Sequence, residues 1–255
     1  MPSLHRLVDA HAHLCDPVFD EDRSEVLERA RAERVRAVVS VGETLDDAEK
    51  NLRLAETHGD IIRPTAGLYP TILDLGEAAQ IEELIRRESD RLVAIGEVGL
   101  DHWKVKDPTE RELQRDIFLR FIRLAAETDL PLNVHSRSAG RATIALLLEA
   151  GAKKALLHAF DGRAASALPG VEAGFFFSVP PSVVRSPQKQ KLVRRLPLSC
   201  LLVETDSPVL GPSPGERNEP ANVRISLSEV ARLKEISEEE VVEAVVENQY
   251  RLFDI

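Results

Sequence analysis

The sequence predicts an α/β fold, a TIM-like (β/α)8 barrel, and three observations carry that expectation. Eight short apolar runs alternate with charged helical stretches in units of roughly 30 residues, the pattern of βα units in a parallel sheet. The length, 255 residues, suits one such barrel, so a single barrel domain over 1–255 is expected. Six residues able to hold a metal, His11, His13, Glu97, His135, His158 and Asp206, each end one of the apolar runs. In a closed parallel barrel all strand C-termini open onto one face, so side chains distant in sequence converge there.

The first strand is Leu7-Val8-Asp9-Ala10-His11-Ala12-His13, whose two histidines share a face because strand side chains repeat every second residue. Seven histidines in this length would make roughly 0.2 His-x-His pairs by chance, so the pair needs partners from elsewhere. Asp20 to Arg34, charged with Val26, Leu27 and Ala30 on one side, reads as the first helix. Val35 to Val41 is the second strand, Leu45 to His58 a helix closed by Gly59, and Ile61 to Ala66 a strand leading into Gly67-Leu68-Tyr69-Pro70. After a helix over Glu77 to Asp90, the run Leu92 to Gly96 delivers Glu97. Thr109 to Thr128 places Leu113, Ile117, Phe121, Leu124 and Ala125 at three- and four-residue spacing, the strongest amphipathic helix of the chain.

Leu130 to Val134 delivers His135, a helix over Ala139 to Glu149 ends at Gly151, and Ala155 to Leu157 delivers His158. A short helix over Arg163 to Gly170 precedes strand seven, Gly174 to Val179. Arg185 to Arg195 is the one basic cluster; such a run is expected as a solvated helix face, with contact to a polyanionic substrate as the alternative. Cys200 to Thr205 delivers Asp206, and the Pro- and Gly-rich loop Ser207 to Pro220 falls at the ligand face, where a lid or substrate-positioning role fits. Helices over Val223 to Lys234 and Glu238 to Leu252 complete the pattern.

Composition narrows the function classes. Hydrophobic residues at 43% and charged residues at 30% are those of a globular protein, and no apolar run approaches the roughly eighteen residues that span a bilayer. The segment Met1 to Arg6 has no apolar signal core, so the expected location is cytoplasmic, with no membrane association and no protein partner indicated. Cys15 and Cys200 are expected as buried thiols in a reducing compartment. A formal charge of −10 argues against a broad basic surface for duplex nucleic acid, yet leaves a phosphate substrate open, because bound divalent cations can dominate the local field. No Gly-x-Gly-x-x-Gly or Walker loop points to a nucleotide cofactor.

Imidazoles suit zinc, manganese and iron, and carboxylates accept magnesium too. Six protein ligands exceed what one catalytic ion uses while keeping a position for water, so two divalent ions, Zn, Mg or Mn, are expected, with Glu97 bridging them. A bridging water would then be the nucleophile, with Asp206 binding one ion and accepting the proton. Arg137, two residues past His135, could reach an anionic substrate group or form a local ion pair. His5 and His58 are expected at the surface, and His102 follows the Glu97 loop without fitting the ligand pattern.

The motifs Asp9-Ala10-His11-Ala12-His13, Gly96-Glu97-Val98-Gly99-Leu100-Asp101, His135-Ser136-Arg137, His158-Ala159-Phe160-Asp161-Gly162, Glu204-Thr205-Asp206-Ser207-Pro208 and Arg217-Asn218-Glu219-Pro220 run almost end to end. Through them the chain resembles the TatD family of metal-dependent deoxyribonucleases, within the amidohydrolase-like hydrolases. Asn133 to Arg141 and Phe176 to Arg195 are most similar to the TatD domain-containing protein 3 group. The resemblance implies a TIM-like barrel, divalent metals at the six residues named above, and phosphodiester hydrolysis, often of DNA from its 3′ end. Two departures stand out: Tyr69 replaces the histidine of the family's usual Gly-x-His-Pro, putting a phenol near the substrate, and Asp161 replaces a common serine. Two rivals remain: a metal-dependent ester hydrolase such as a D-aminoacyl-tRNA deacylase, and a non-catalytic binding protein, against which the intact ligand set counts.

Overall fold

The computed structural model describes residues 7–255, and among them eight strands form one parallel sheet whose order is the order of the chain. The strands are β1 Leu7–Ala12, β2 Val35–Ser40, β3 Ile62–Ala66, β4 Ala94–Gly99, β5 Leu132–His135, β6 Ala155–Leu157, β7 Phe176–Val179 and β8 Leu201–Val203. The helices are α1 Arg23–Ala32, α2 Leu45–Thr57, α3 Leu75–Glu88, α4 Pro108–Thr128, α5 Gly140–Glu149, α6 Ala164–Glu172, α7 Pro187–Arg195, α8 Val223–Lys234 and α9 Glu238–Phe253. The expected (β/α)8 barrel is present. Apart from Arg36 of β2 and Arg63 of β3, its strand residues are buried, which is why the strands read as near-continuous apolar runs.

The barrel closes between β8 and β1 just beyond the strand ends. Ala12 bridges Ser207, the His13 N–H donates to Ser207 O at 2.7 Å, and the Asp206 N–H donates to His11 O at 2.8 Å. Deeper in the seam the Thr205 N–H donates to Asp9 Oδ1 at 2.8 Å, and Gln249 of α9 donates to Val8 O at 3.1 Å. Three candidate ligands therefore ride on the segments that close the barrel.

Local chemistry sets the helix bounds. Asp107 caps α4 through the Thr109 and Glu110 N–H groups, Pro108 occupies its first turn, and Asp129 ends it at φ 56. Ser237 and Glu240 form a reciprocal capping box on α9. Where the sequence predicts one helix over Asp20 to Arg34, a 3-10 turn over Pro17–Phe19 precedes a helix that starts at Arg23. The basic run also divides, into a 3-10 turn over Pro181–Arg185 and α7, because Pro187 is tolerated only in a first helical turn. The short helix expected at Arg163 extends to Glu172.

No helix among the described residues is long and apolar enough to cross a membrane. Cys15 and Cys200 are buried free thiols, donating to Val41 O and Pro197 O, and burial raises both pKa values. His5 and the Met1 to Arg6 segment lie outside the described residues. His58 forms the half-buried C-cap of α2 rather than an exposed surface residue.

Candidate metal centre

The six predicted residues meet at the C-terminal mouth of the barrel, and Glu97 stands at their centre. Its strand does not end there: β4 continues to Gly99, so Glu97 projects from within a strand, whereas Asp206 lies three residues past β8. Glu97 Oε2 lies 3.6 Å from His11 Nε2 and 3.4 Å from His13 Nε2. Glu97 Oε1 lies 2.7 Å from His135 Nδ1 and 2.9 Å from His158 Nε2. One carboxylate thus presents one oxygen to each pair of imidazoles.

The first cluster is completed by Asp206, whose Oδ1 lies 3.5 Å from His11 Nε2 and 3.4 Å from His13 Nε2, while the two Nε2 atoms are 3.3 Å apart. Donors about 2.0–2.1 Å from a tetrahedral zinc ion would be separated by roughly 3.3–3.4 Å, so these spacings fit a shared cation. In the second cluster, His135 Nδ1 and His158 Nε2 are 3.4 Å apart. His11, His13 and Glu97 form one group able to hold an ion, and Glu97, His135 and His158 another.

Electrostatics favours a cation at the same place. Burial opposes charge on His11, but hydrogen bonding and charge from Glu97, with Asp206, outweigh it and lift the imidazole to about 10. Burial likewise opposes charge on His135, and Asp101 and Glu97 raise it to about 9. Burial pushes His158 down to about 4, with the neighbouring His11 charge adding to the effect. Burial of Glu97 alone would raise its pKa; His158, His11 and His135 together hold it well below the carboxylate range. For Asp206 the opposing burial is outweighed by His13, His158 and His11.

A layer of polar residues behind the six candidates, some of them within the motifs quoted above, was given no role from the sequence. Asn133 accepts from His11 Nδ1 at 2.8 Å and donates to Ala10 O at 3.0 Å, an arrangement that leaves His11 Nε2 facing the cluster. Asp101 Oδ2 lies 3.1 Å from His135 Nε2, orienting that ring through its far nitrogen. Glu204 accepts from the Ala159 N–H at 2.8 Å and from Ser178 Oγ at 2.5 Å, and its Oε2 lies 3.9 Å from His158 Nδ1. Asp9, Asn133 and Glu204 each sit two positions before a ligand, so strand periodicity was the available signal. Gly96 lets β5 approach: a Cβ there would sit 2.7 Å from Asn133 Cβ.

A cavity of ≈ 460 Å³ opens at this cluster and is lined by His13, Glu97, His135, His158 and Asp206. Tyr69 and Arg137 both line it, as does Glu43, which the sequence reading did not single out and whose pKa burial raises. The Tyr69 ring packs edge-on against His135 at 5.1 Å, and burial raises its phenol pKa. Arg137 is exposed and stacks on Trp103 at 3.8 Å; among the described residues it makes no ion pair, so the expected alternative of a local salt bridge is not formed. Asp161, at the rim, accepts from the Ser138 N–H at 2.9 Å. His102 does not line the cavity; its N–H donates to Arg137 O. Val209 and Leu210 supply one wall, and their loop is tied down by Arg217 to Asp22 at 2.9 Å and by Glu219 to Arg29 at 2.7 Å. Lys189 of the basic run turns inward to line the cavity, donating to Ala159 O at 2.8 Å.

Comparison with known proteins follows the same residues. The TatD related DNase family profile matches residues 8–254. The chain is 48% identical to human deoxyribonuclease TATDN3 over 261 aligned residues, covering 97% of this chain and 94% of that one. It is 36% identical to an uncharacterized metal-dependent hydrolase, YabD, of Bacillus subtilis, covering 98% and 99%. Among solved structures, the TatD homologue YJJV of Escherichia coli superposes with a TM-score of 0.90 at 26% identity, covering 99% of each chain.

Proposed function

The chain belongs to the TatD related DNase family, and from that premise we propose that it is a divalent-metal-dependent phosphodiesterase, one hydrolase unit over 1–255, that degrades DNA from a 3′ end. The observation that carries the proposal is Glu97, with Oε2 turned to His11 and His13 and Oε1 to His135 and His158. On this reading His11, His13 and Asp206 would hold one ion and His135 and His158 a second, with Glu97 common to the two sets. Divalent ions bound at such a site would make water a stronger nucleophile and would offset charge on an attacked phosphoryl oxygen.

The protein's own groups do the rest. Asn133 and Asp101 fix the His11 and His135 rings, so donor nitrogens need no reorganisation when charge builds. Asp206 is the proton acceptor, because its contacts with the histidines both run through Oδ1. On this reading Arg137, braced on Trp103, pairs with a phosphate, and Tyr69, which lines the same cavity, donates a hydrogen bond to the substrate. Buried free thiols favour a reducing compartment such as the cytoplasm.

The test joins metal analysis of the purified protein to a substrate panel of single-stranded DNA, RNA and D-aminoacyl-tRNA. About two ions per chain and stepwise release of nucleotides from a free 3′ end, stopped by blocking that end, are the expected results. Release of D-amino acid with DNA left intact would replace the phosphodiesterase with an ester hydrolase.

A further inference from the structure

A second groove, of ≈ 700 Å³, runs beside the metal cavity between the start of α6 and α7. Its charged lining is Arg163, Lys191, Arg194 and Arg195, all exposed, and no acidic residue lines it. Among the described residues none of these four forms an ion pair, although most other arginines of this acidic protein do, as Arg29, Arg31, Arg86, Arg91 and Arg217 illustrate. Four unpaired cations around one concave surface leave a local positive field in a chain of net charge −10.

The two cavities share a thin wall. Asp161 lines the metal cavity and Gly162, the next residue, lines the groove; Lys189 lines the metal cavity and Gln188, the residue before it, lines the groove. Gln188 Nε2 donates to Gly162 O at 2.6 Å, so this wall is a braced saddle rather than two loose loops. An anionic strand leaving the metal cavity over that saddle passes Lys189 and the Asp161 carboxylate, which accepts from the Ser138 N–H, and then meets the four cations.

We infer that the α6–α7 groove binds the phosphodiester backbone of a single DNA strand on the 5′ side of the nucleotide being removed. This rests on the proposed action at a 3′ end, which puts the terminal phosphodiester over Glu97 and sends the rest of the strand outward. Among the described residues no aromatic one lines the groove, so recognition is by charge along the backbone and independent of base sequence. The acidic overall charge then has a role: it confines the strand to this path.

The test removes the four charges together, Arg163→Gln, Lys191→Gln, Arg194→Gln and Arg195→Gln, at exposed positions outside the metal cavity. Parent and variant are compared on bis(p-nitrophenyl) phosphate, which needs only the metal cavity, and on oligonucleotides with one 3′ end and 5′ extensions of increasing length. Equal rates on the small ester are expected. In the parent KM should fall as the 5′ extension grows; in the variant that gain should vanish, with KM for a 20-nucleotide strand roughly tenfold higher and the slope of log KM against log salt reduced by about 3, some 0.7 per lost contact. Fluorescence anisotropy of labelled dT20 measures binding separately. A variant that keeps the parent's length dependence and salt slope overturns the groove while leaving the nuclease intact. A parent that binds dT20 through these charges but cleaves no strand would instead sink the nuclease reading, and a parent that binds no strand would sink both.

Discussion

Asn133 carries no charge and donates nothing to an ion, yet it decides which nitrogen of His11 is available. Removing its amide leaves His11 Nδ1 and Ala10 O without their partners in a buried site. Asn133→Ala should therefore weaken metal binding by about 10–100-fold, read by chelator competition, while far-UV circular dichroism stays unchanged. Asp206→Asn keeps the shape and removes the basic oxygen, so kcat should fall by about 10²–10⁴ with the metal partly retained. A parental rate after reconstitution with excess metal would move the proton acceptor to another group. Tyr69→Phe tests a single neutral hydrogen bond, about 0.5–1.5 kcal/mol, and should raise KM by roughly 2- to 12-fold with kcat little changed. Identical KM values would reduce Tyr69 to packing against His135.

At the scale of elements, the seam between β8 and β1 ties folding to the site. Asp9, fully buried, accepts from the N–H groups of His11 and Thr205 and from the Thr205 hydroxyl. Burial pushes its pKa up to about 7, against the lowering effect of the Thr205 hydrogen bonds. Asp9→Ala leaves these buried donors without their acceptor, and should cost about 2–5 kcal/mol. Urea denaturation with a chelator present measures this apart from metal loss. Unchanged stability would mean that the seam is held by its backbone bonds and by Gln249 alone.

For the whole molecule, the apolar core includes none of the six candidate metal-holding residues. Chelation should abolish activity and lower the melting temperature without unfolding the chain, since the ions add only their binding free energy to a core already formed. Loss of secondary structure on chelation would make the metal structural. Uptake should also depend on pH. Protons sit on His11 and His135 below about 10 and about 9, raised there by the buried carboxylates against the opposing burial, and an ion must displace them. Apparent affinity should therefore increase from pH 6 to pH 8, by up to tenfold per unit for each proton displaced, and chelator competition at the two pH values checks it. Equal affinities would show that the ligands are already deprotonated.

The barrel, and the convergence of the six candidate residues at its mouth, were legible from the order of residues alone. Apolar periodicity reports strands and helices locally, and Glu97, His135 and His158 follow runs whose burial leaves few other places for a polar side chain to point. The bounds were less legible: β4 runs on past Glu97, and β8 stops before Asp206 because the chain there pairs with β1 instead of β7. Only tertiary structure decided which oxygen of Glu97 meets which histidines, that Asn133 holds His11 from 122 positions away, and that Lys189 turns inward while Arg194 and Arg195 face a groove. Those relations depend on distances between segments far apart in the chain. Strand register and closure set such distances to within an ångström, and no local pattern of residues encodes them.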